Sequence, residues 1–205
     1  MNFLNSKTEV GKKEKLVTKP SLEEAEEAVR TLLRWAGDDP SREGLLDTPS
    51  RVVRAYSEWF AGYNEDPEKI LERTFEEVAG YSEIVTLKDI RFESYCEHHL
   101  APIIGIVHVA YIPTVRVVGI SKIARLVDAF SKRLQVQEKM TSQIANTLQS
   151  VLKPLGTAVL VEGDHHCMCT RGVHKTTSTM ISSAFTGDFK KKQELKDEFY
   201  KIVGK

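Results

Sequence analysis

The sequence has no excess of charge of either sign and no long apolar run. Lys and Arg together number 29, and so do Asp and Glu, so the formal net charge is +0. A neutral chain lacks the basic surface that is typical of nucleic-acid-binding and membrane-surface proteins. No apolar run approaches the roughly 18 residues needed to span a bilayer. We therefore expect no nucleic-acid partner and no membrane partner, and any anionic ligand must meet a local cluster of cations.

Cysteine is also scarce, since the chain of 205 residues has three. Two of them, Cys167 and Cys169, are separated by a single residue, and an odd number cannot pair completely. A disulfide framework is therefore not expected. Residues 1–19 are polar and lysine-rich and contain no apolar stretch of signal-peptide length. These features predict a flexible N-terminal tail and a cytoplasmic protein.

Hydrophobic periodicity predicts a helical part over residues 20–80. Ser21 and Glu24 form a capping-box pattern at the start of a first helix, which Gly37 ends. Pro49 falls in the first turn of a second helix, where its missing N–H is not needed. A short third helix is expected near Pro67.

From residue 81 the apolar period changes to two, which is typical of strands. Strands are expected at 84–94, 103–112, 116–119, 157–162 and 175–185, and helices at 121–134, 136–152 and 188–203. No internal repeat is present. The pattern predicts an α+β fold in which strands and helices follow the helical part.

The chemistry of the chain is concentrated in two short clusters. All three cysteines and four of the six histidines lie in Cys96-Glu97-His98-His99 and in His165-His166-Cys167-Met168-Cys169. Thiolates and imidazoles are the ligands that zinc prefers. About 70 residues separate the clusters, so the fold must bring them together. The pairing predicts a zinc centre.

The spacing leaves more than one ligand set open. Cys96 and His99 are three residues apart and can converge from a turn at the end of a strand, whereas His165 and Cys167 would share one face of an extended segment. Two ligands from the first cluster and one from the second give a catalytic zinc whose fourth position holds water. A structural Cys₃His site is one alternative, and buried cysteines without a metal beside unrelated histidines are another. Spare histidines beside zinc suit proton transfer.

Other polar residues suggest an anion site. Ser121 fits a helix N-cap, and Lys122 and Arg125 lie three residues apart in the first turn, an arrangement that favours phosphate. An ordinary solvated helix start is an equally good interpretation. Glu138 opens the next helix, and Arg171 follows Cys167 by four residues.

Five segments together resemble one enzyme family. They are Glu43–Val52, Cys96–His99, Gly119–Ile123, Gln135–Glu138 and Cys167–Val173, and in this order they resemble the GTP cyclohydrolase I family over roughly residues 21–203. The resemblance implies a helical N-terminal part followed by a tunnelling-fold (T-fold) domain, 81–205, in which antiparallel sheets with two helices assemble into barrels. It also implies a homodecamer with active sites between subunits.

The resemblance implies a role for each matching residue. One Zn²⁺ per subunit would be held by Cys96, His99 and Cys167, with His98 and His165 as acid–base histidines. The GTP substrate would be held by Glu138, Gln137, Ser121, Lys122, Arg125, Arg171 and Arg51. The implied reaction converts GTP and water to formate and 7,8-dihydroneopterin triphosphate, a step of folate and pterin biosynthesis, with zinc-activated water attacking guanine C8.

Two alternatives to this function differ in the residues that they require. Another T-fold enzyme, such as a nitrile-reducing one, needs a nucleophilic cysteine and a nicotinamide cofactor but no zinc ligands. A zinc-stabilised nucleotide sensor without turnover has no use for His98 and His165. The sequence does not decide whether His166 or Cys169 contacts the metal.

Overall fold

The structure is a computed structural model that describes residues 18–75 and 80–205. Nearly all of the predicted tail, 1–19, lies outside the described residues. The contacts divide the chain into two compact units, one ending at Arg54 and the other beginning at Ala55. Among the described residues, no helix has both the length and the apolar character required to cross a membrane.

Helices dominate the first part of the described chain and alternate with strands in the rest. The helices are α1 (Leu22–Trp35), α2 (Thr48–Trp59), α3 (Pro67–Leu71), α4 (Ile120–Ser131), α5 (Gln137–Leu152), α6 (His166–Cys169), α7 (Gly187–Lys191) and α8 (Gln193–Val203), with 3₁₀ turns at Glu43–Leu45 and Ala61–Asn64. The strands are β1 (Thr74–Phe75), β2 (Val85–Cys96), β3 (Pro102–Ile112), β4 (Val117–Val118), β5 (Leu134–Gln135), β6 (Gly156–His165) and β7 (Thr179–Phe185).

The first helix begins and ends where the sequence predicts. The Ser21 hydroxyl accepts from the Glu24 N–H at 3.1 Å, and the Glu24 carboxylate accepts from the Ser21 N–H at 2.7 Å. Gly37 follows the helix with φ of 96°, a left-handed conformation that glycine adopts without strain. The capping box and the glycine stop are both confirmed.

The main sheet has the strand order β5-β2-β3-β6-β7. The pairs β2–β3, β3–β6 and β6–β7 are antiparallel, and the two-residue strand β5 joins β2 in parallel. Strands β1 and β4 form a separate antiparallel pair. The four antiparallel strands with α4 and α5 match the arrangement expected of a tunnelling-fold domain, so the predicted α+β class is confirmed.

The central strands β3 and β6 are apolar over most of their length because both faces of the sheet are covered. One face packs against α4 and α5, where Val107, Val159, Leu126 and Ile144 are all fully buried. The opposite face packs against α7 and α8 through Phe189 and Phe199, among other residues. A strand buried on both faces reads as a continuous apolar run rather than an alternating one.

The predicted single helix over 188–203 is wrong, because Lys192 is extended (φ −108°, ψ 117°) and separates α7 from α8. Phe189 and Phe199 are both 0% exposed. Ten residues of continuous helix would turn the second ring about 80° away from the first. The break lets both rings reach the sheet.

Two other predicted element boundaries differ from those in the structure. The helix expected over 121–134 ends at Ser131, because Leu134 and Gln135 pair with the end of β2. The last strand begins at Thr179 rather than at 175, because the preceding residues form turns.

Candidate metal centre and surrounding site

The first cluster lies in a tight turn between β2 and β3. The Cys96 N–H donates to the Ala101 carbonyl at 2.9 Å, and the Cys96 carbonyl accepts from the N–H groups of His99 and Leu100. Leu100 adopts a left-handed conformation with φ of 55°, which directs the chain into β3. The turn at a strand end that the sequence predicts for Cys96 and His99 is confirmed.

The second cluster meets this turn at the same end of the sheet. Strand β6 runs antiparallel to β3, and its last residue, His165, lies opposite Ile103 near the start of β3. Cys167 lies in the short helix α6, whose turn is closed by the Thr170 N–H donating to the His166 carbonyl at 3.0 Å. The prediction that His165 and Cys167 share one extended segment is therefore wrong. The strand ends between them.

Three side chains from the two clusters form a compact donor set. One potential ligand atom each of Cys96, His99 and Cys167 lies within 4.8 Å of the other two. The Cys96 Sγ and His99 Nδ1 atoms are 3.7 Å apart. Tetrahedral zinc bonds of ordinary length place sulfur and nitrogen ligands about 3.6 Å apart. The residue types and the separation fit a zinc ion.

The electrostatics of the thiols favour a bound cation. Burial raises the pKa of the Cys167 thiol above its ordinary value, and the neighbouring Cys96 raises this pKa further. Arg171 opposes the shift of the Cys167 pKa, which places its charge near the thiol. A divalent cation binds thiolates and so offsets both unfavourable effects.

The remaining members of the clusters lie outside the donor set. His98 Nδ1 is 3.8 Å from Cys96 Sγ, and the His98 ring lies 6.2 Å from that of His99 at an angle of 69°. The Cys169 thiol donates instead to the Lys175 carbonyl at 3.4 Å. His166 begins α6 and its carbonyl accepts from the Thr170 hydroxyl. Within the described residues, the set therefore uses one cysteine of the second cluster.

His165, two residues before Cys167, contacts a buried glutamine. Its Nε2 atom lies 3.0 Å from Oε1 of Gln137, the first residue of α5. Burial lowers the pKa of His165, whereas the charges of Glu138 and Asp164 act in the opposite direction on this pKa. Glu138 is exposed, in the first turn of α5. The start of α5 thus brings Gln137 and Glu138 to His165.

The predicted anion-binding residues lie at the start of α4. The N-cap of this helix is Gly119, and Ser121 is exposed within the first turn, so the prediction of Ser121 as N-cap is wrong. Lys122 and Arg125 line a cavity of about 310 Å³. Ser121 and Lys122 line a second cavity of about 190 Å³ together with Arg73, a cation that the sequence pattern did not single out.

Arg51 belongs to the first unit of the chain. It lies on α2, where its guanidinium contacts the Asp47 carboxylate at 3.1 Å. Both side chains are more than half exposed. This contact between residues four apart is an exposed pair of small energetic weight.

Two residues beside Gln137 were missed by sequence reasoning. The Thr141 hydroxyl contacts the Gln137 carbonyl and the Ser182 hydroxyl, both at 2.7 Å. Thr141 follows Gln137 by one helical turn, a spacing that could have indicated the contact. Nothing in the local sequence around Ser182, on β7, indicates its part in the site.

A Cys-His-Cys donor set is a ligand combination that catalytic zinc sites use. The model of the GTP cyclohydrolase I family matches residues 25–204. A relative from Maricaulis maris (strain MCS10), named GTP cyclohydrolase 1, is 60% identical over 186 residues, which are 91% of each chain. Another of the same name, from Hyphomonas neptunium (strain ATCC 15444), is 58% identical over 188 residues, 92% of this chain and 91% of its own.

The chain therefore belongs to the GTP cyclohydrolase I family and is an enzyme of that family. A solved structure, the apo form of the archaeosine synthase QueF-Like, covers 51% of this chain and 93% of its own with 22% identity and a TM-score of 0.42. That likeness is too weak to support any inference here.

Proposed function

We propose that the chain hydrolyses GTP to formate and 7,8-dihydroneopterin triphosphate with one zinc ion per subunit. The observation that carries this proposal is the donor set of Cys96, His99 and Cys167. His98 Nδ1 lies 3.8 Å from Cys96 Sγ, and His165 precedes Cys167 by two residues. A structural zinc site would have no use for two neighbouring imidazoles that are not ligands. A catalytic site requires groups that move protons.

Cys96, His99 and Cys167 would hold the zinc. When bound, zinc acts as a Lewis acid and lowers the pKa of water towards about 7, which supplies hydroxide at neutral pH. Three protein ligands leave room for water or substrate, as catalytic zinc sites require.

His98 is proposed to deliver a proton to N7 of the purine as the imidazole ring opens at C8. It is exposed, so substrate can reach it, and its Nδ1 atom lies 3.8 Å from the sulfur of Cys96. An imidazole ring can both donate and accept a proton, as general acid–base catalysis requires.

His165 is proposed to assist the opening of the ribose, which precedes its rearrangement and closure into the second pterin ring. Burial lowers the pKa of His165 and so favours the neutral form, which accepts a proton. The charges of Glu138 and Asp164 raise the pKa of His165 and so partly offset the effect of burial.

Glu138 is proposed to bind the guanine edge. A carboxylate accepts two N–H groups at once, and guanine offers N1–H and its exocyclic amino group side by side. The cations Lys122, Arg125, Arg171 and Arg51 are proposed to hold the triphosphate, with Ser121 near the ribose or the phosphates. Cations that contact the phosphates would allow a neutral chain to bind a polyanion.

We further propose that the subunits assemble into a homodecamer with active sites at their interfaces, as the family resemblance implies. Support comes from apolar side chains exposed beside the donor set. Leu100, Met168 and Val173 are 52%, 41% and 61% exposed. Exposed apolar residues next to a polar site commonly mark a surface that another subunit covers.

The experiment is to follow formate and the fluorescent oxidised neopterin product together during incubation of the zinc-replete protein with GTP. Equal amounts of both are expected. Formate without neopterin would mean that the ring opens without reclosing, and would contradict the proposed role of His165. Binding of GTP with neither product would replace the proposal with a nucleotide sensor.

A further inference from the structure

The side chain of Gln137 is buried and satisfied by the protein itself. The residue is 1% exposed. Its amide nitrogen donates to the Met180 carbonyl at 2.9 Å and to the Val161 carbonyl at 3.2 Å, and it lies 3.1 Å from the Ser182 hydroxyl. Its amide oxygen lies 3.0 Å from His165 Nε2. No part of this amide faces solvent in a way that would suit contact with a substrate.

The two backbone carbonyls fix which way the amide points. A carbonyl oxygen only accepts hydrogen bonds, so the NH₂ group must face Val161 and Met180. The amide oxygen must then face His165. Because that oxygen also only accepts, His165 Nε2 must carry a proton in both the neutral and the protonated ring. In the neutral ring, the lone pair is therefore on Nδ1.

The amide oxygen lies close to the backbone of Gly163, where a larger residue would collide with it. A Cβ atom at Gly163 would lie 2.5 Å from Gln137 Oε1 and 3.1 Å from Ile103 Cγ2. On the nitrogen side of the amide, the Ser182 hydroxyl contacts the Thr141 hydroxyl at 2.7 Å. Gly163 is thus the residue that makes room for the amide oxygen between β6 and α5.

We propose that Gln137 is a positioning residue that locks His165 in the Nε2–H tautomer, so that Nδ1 carries the lone pair of the neutral ring. This inference rests on the proposed role of His165 in the reaction. It differs from the prediction of the family resemblance, which places Gln137 among the substrate-binding residues. The amide acts on the substrate only through the imidazole, in the manner of hydrogen-bonded partners that orient metal-site histidines.

The first test is Gln137→Met, which keeps the length of the side chain but removes its hydrogen bonds. We expect kcat to fall by about 10- to 100-fold, as for other partners that orient a histidine, while KM for GTP stays unchanged. Gln149→Met is the matched control, because Gln149 lies on the same helix and is also bonded at both ends, to Pro154 and Thr186. It should keep the parent kcat. An equal fall in both variants would overturn the proposal.

The second test reads the tautomer directly, by NMR of protein labelled with ¹⁵N-histidine, with the His165 signal assigned from His165→Gln. The parent should show a protonated Nε2 and an unprotonated Nδ1, and Gln137→Met should show a mixture of tautomers. A parent with the proton on Nδ1 contradicts the inference. This readout needs no turnover, so it stands even if the proposed reaction fails.

Gly163→Ala perturbs the same amide without changing its chemistry. The added methyl group displaces Gln137 Oε1, so kcat should fall and the tautomers should mix as in Gln137→Met. Unchanged kcat and an unchanged tautomer in this variant would show that the hydrogen bond does not set the state of His165. This variant also decides the question if Gln137→Met does not fold.

Discussion

Replacing Glu138 with Gln tests the proposed recognition of guanine. The change keeps the size of the side chain and one acceptor oxygen but presents an NH₂ group to a guanine N–H. Hydrogen bonds to charged groups contribute about 1.5–3 kcal/mol each. Glu138→Gln removes one of the two bonds to guanine and makes the acceptor of the other bond neutral. We therefore expect a loss of about 2–3 kcal/mol, which corresponds to a roughly 30- to 150-fold fall in kcat/KM for GTP.

The structure supplies a matched control for this change. Glu194 follows Gln193 in the first turn of α8, just as Glu138 follows Gln137 in the first turn of α5. Glu194→Gln therefore removes the same interaction with a helix N-terminus, worth about 0.3–1 kcal/mol of stability. It should leave kcat/KM for GTP at the parent value.

The assay compares GTP with inorganic tripolyphosphate as a competitive inhibitor. Tripolyphosphate has no base, so Glu138→Gln should leave its inhibition constant nearly unchanged while kcat/KM for GTP falls. Equal losses for the two ligands would refute the reasoning, because they would show that Glu138 acts on the phosphate site or on the fold.

Three further predictions concern the metal, proton transfer and the core. Cys96→Ser should strip both zinc and activity, whereas Cys169→Ser should keep both; a full zinc content in the first variant, measured by atomic emission, would contradict the ligand assignment. His98→Ala should abolish formate release while zinc stays bound, and turnover near the parent level would remove its acid–base role. Leu126→Ala should lower the free energy of unfolding by about 2–5 kcal/mol in urea titrations, because Leu126 is 0% exposed; a smaller loss would show that the core refills the cavity.

The sequence predicted those features that depend on local patterns. The capping box of Ser21 and Glu24, the glycine stop at Gly37 and the change from helical to strand periodicity are all signals within a few residues. The turn carrying Cys96 and His99 was likewise visible as a donor pair at the end of a predicted strand. Local chemistry alone sets these elements.

Features that depend on distant residues were not predicted. The break at Lys192 follows from the need to bury both Phe189 and Phe199 against the sheet. The contact of Gln137 with Ser182 joins residues 45 positions apart, through the pairing of β6 with β7. Sequence periodicity carries no signal for such contacts, because the register of the sheet decides which side chains meet.

The hydrogen bond between Gln137 and His165 also could not be predicted from the sequence. The resemblance grouped Gln137 with the substrate-binding residues, whereas its burial and its hydrogen bonds to Val161 and Met180 direct its amide towards the imidazole. Only the positions of two backbone carbonyls reveal which end of the amide faces His165. A sequence pattern does not contain that information.

The most direct test of the account is a zinc titration of protein from which metal has been removed under reducing conditions. The rate of formate and neopterin production should rise in proportion to added zinc and reach a plateau at one zinc per chain. Cys96→Ser should show no such rise. Full production of both compounds by metal-free protein, or a titration without dependence on Cys96, would contradict the proposed zinc centre.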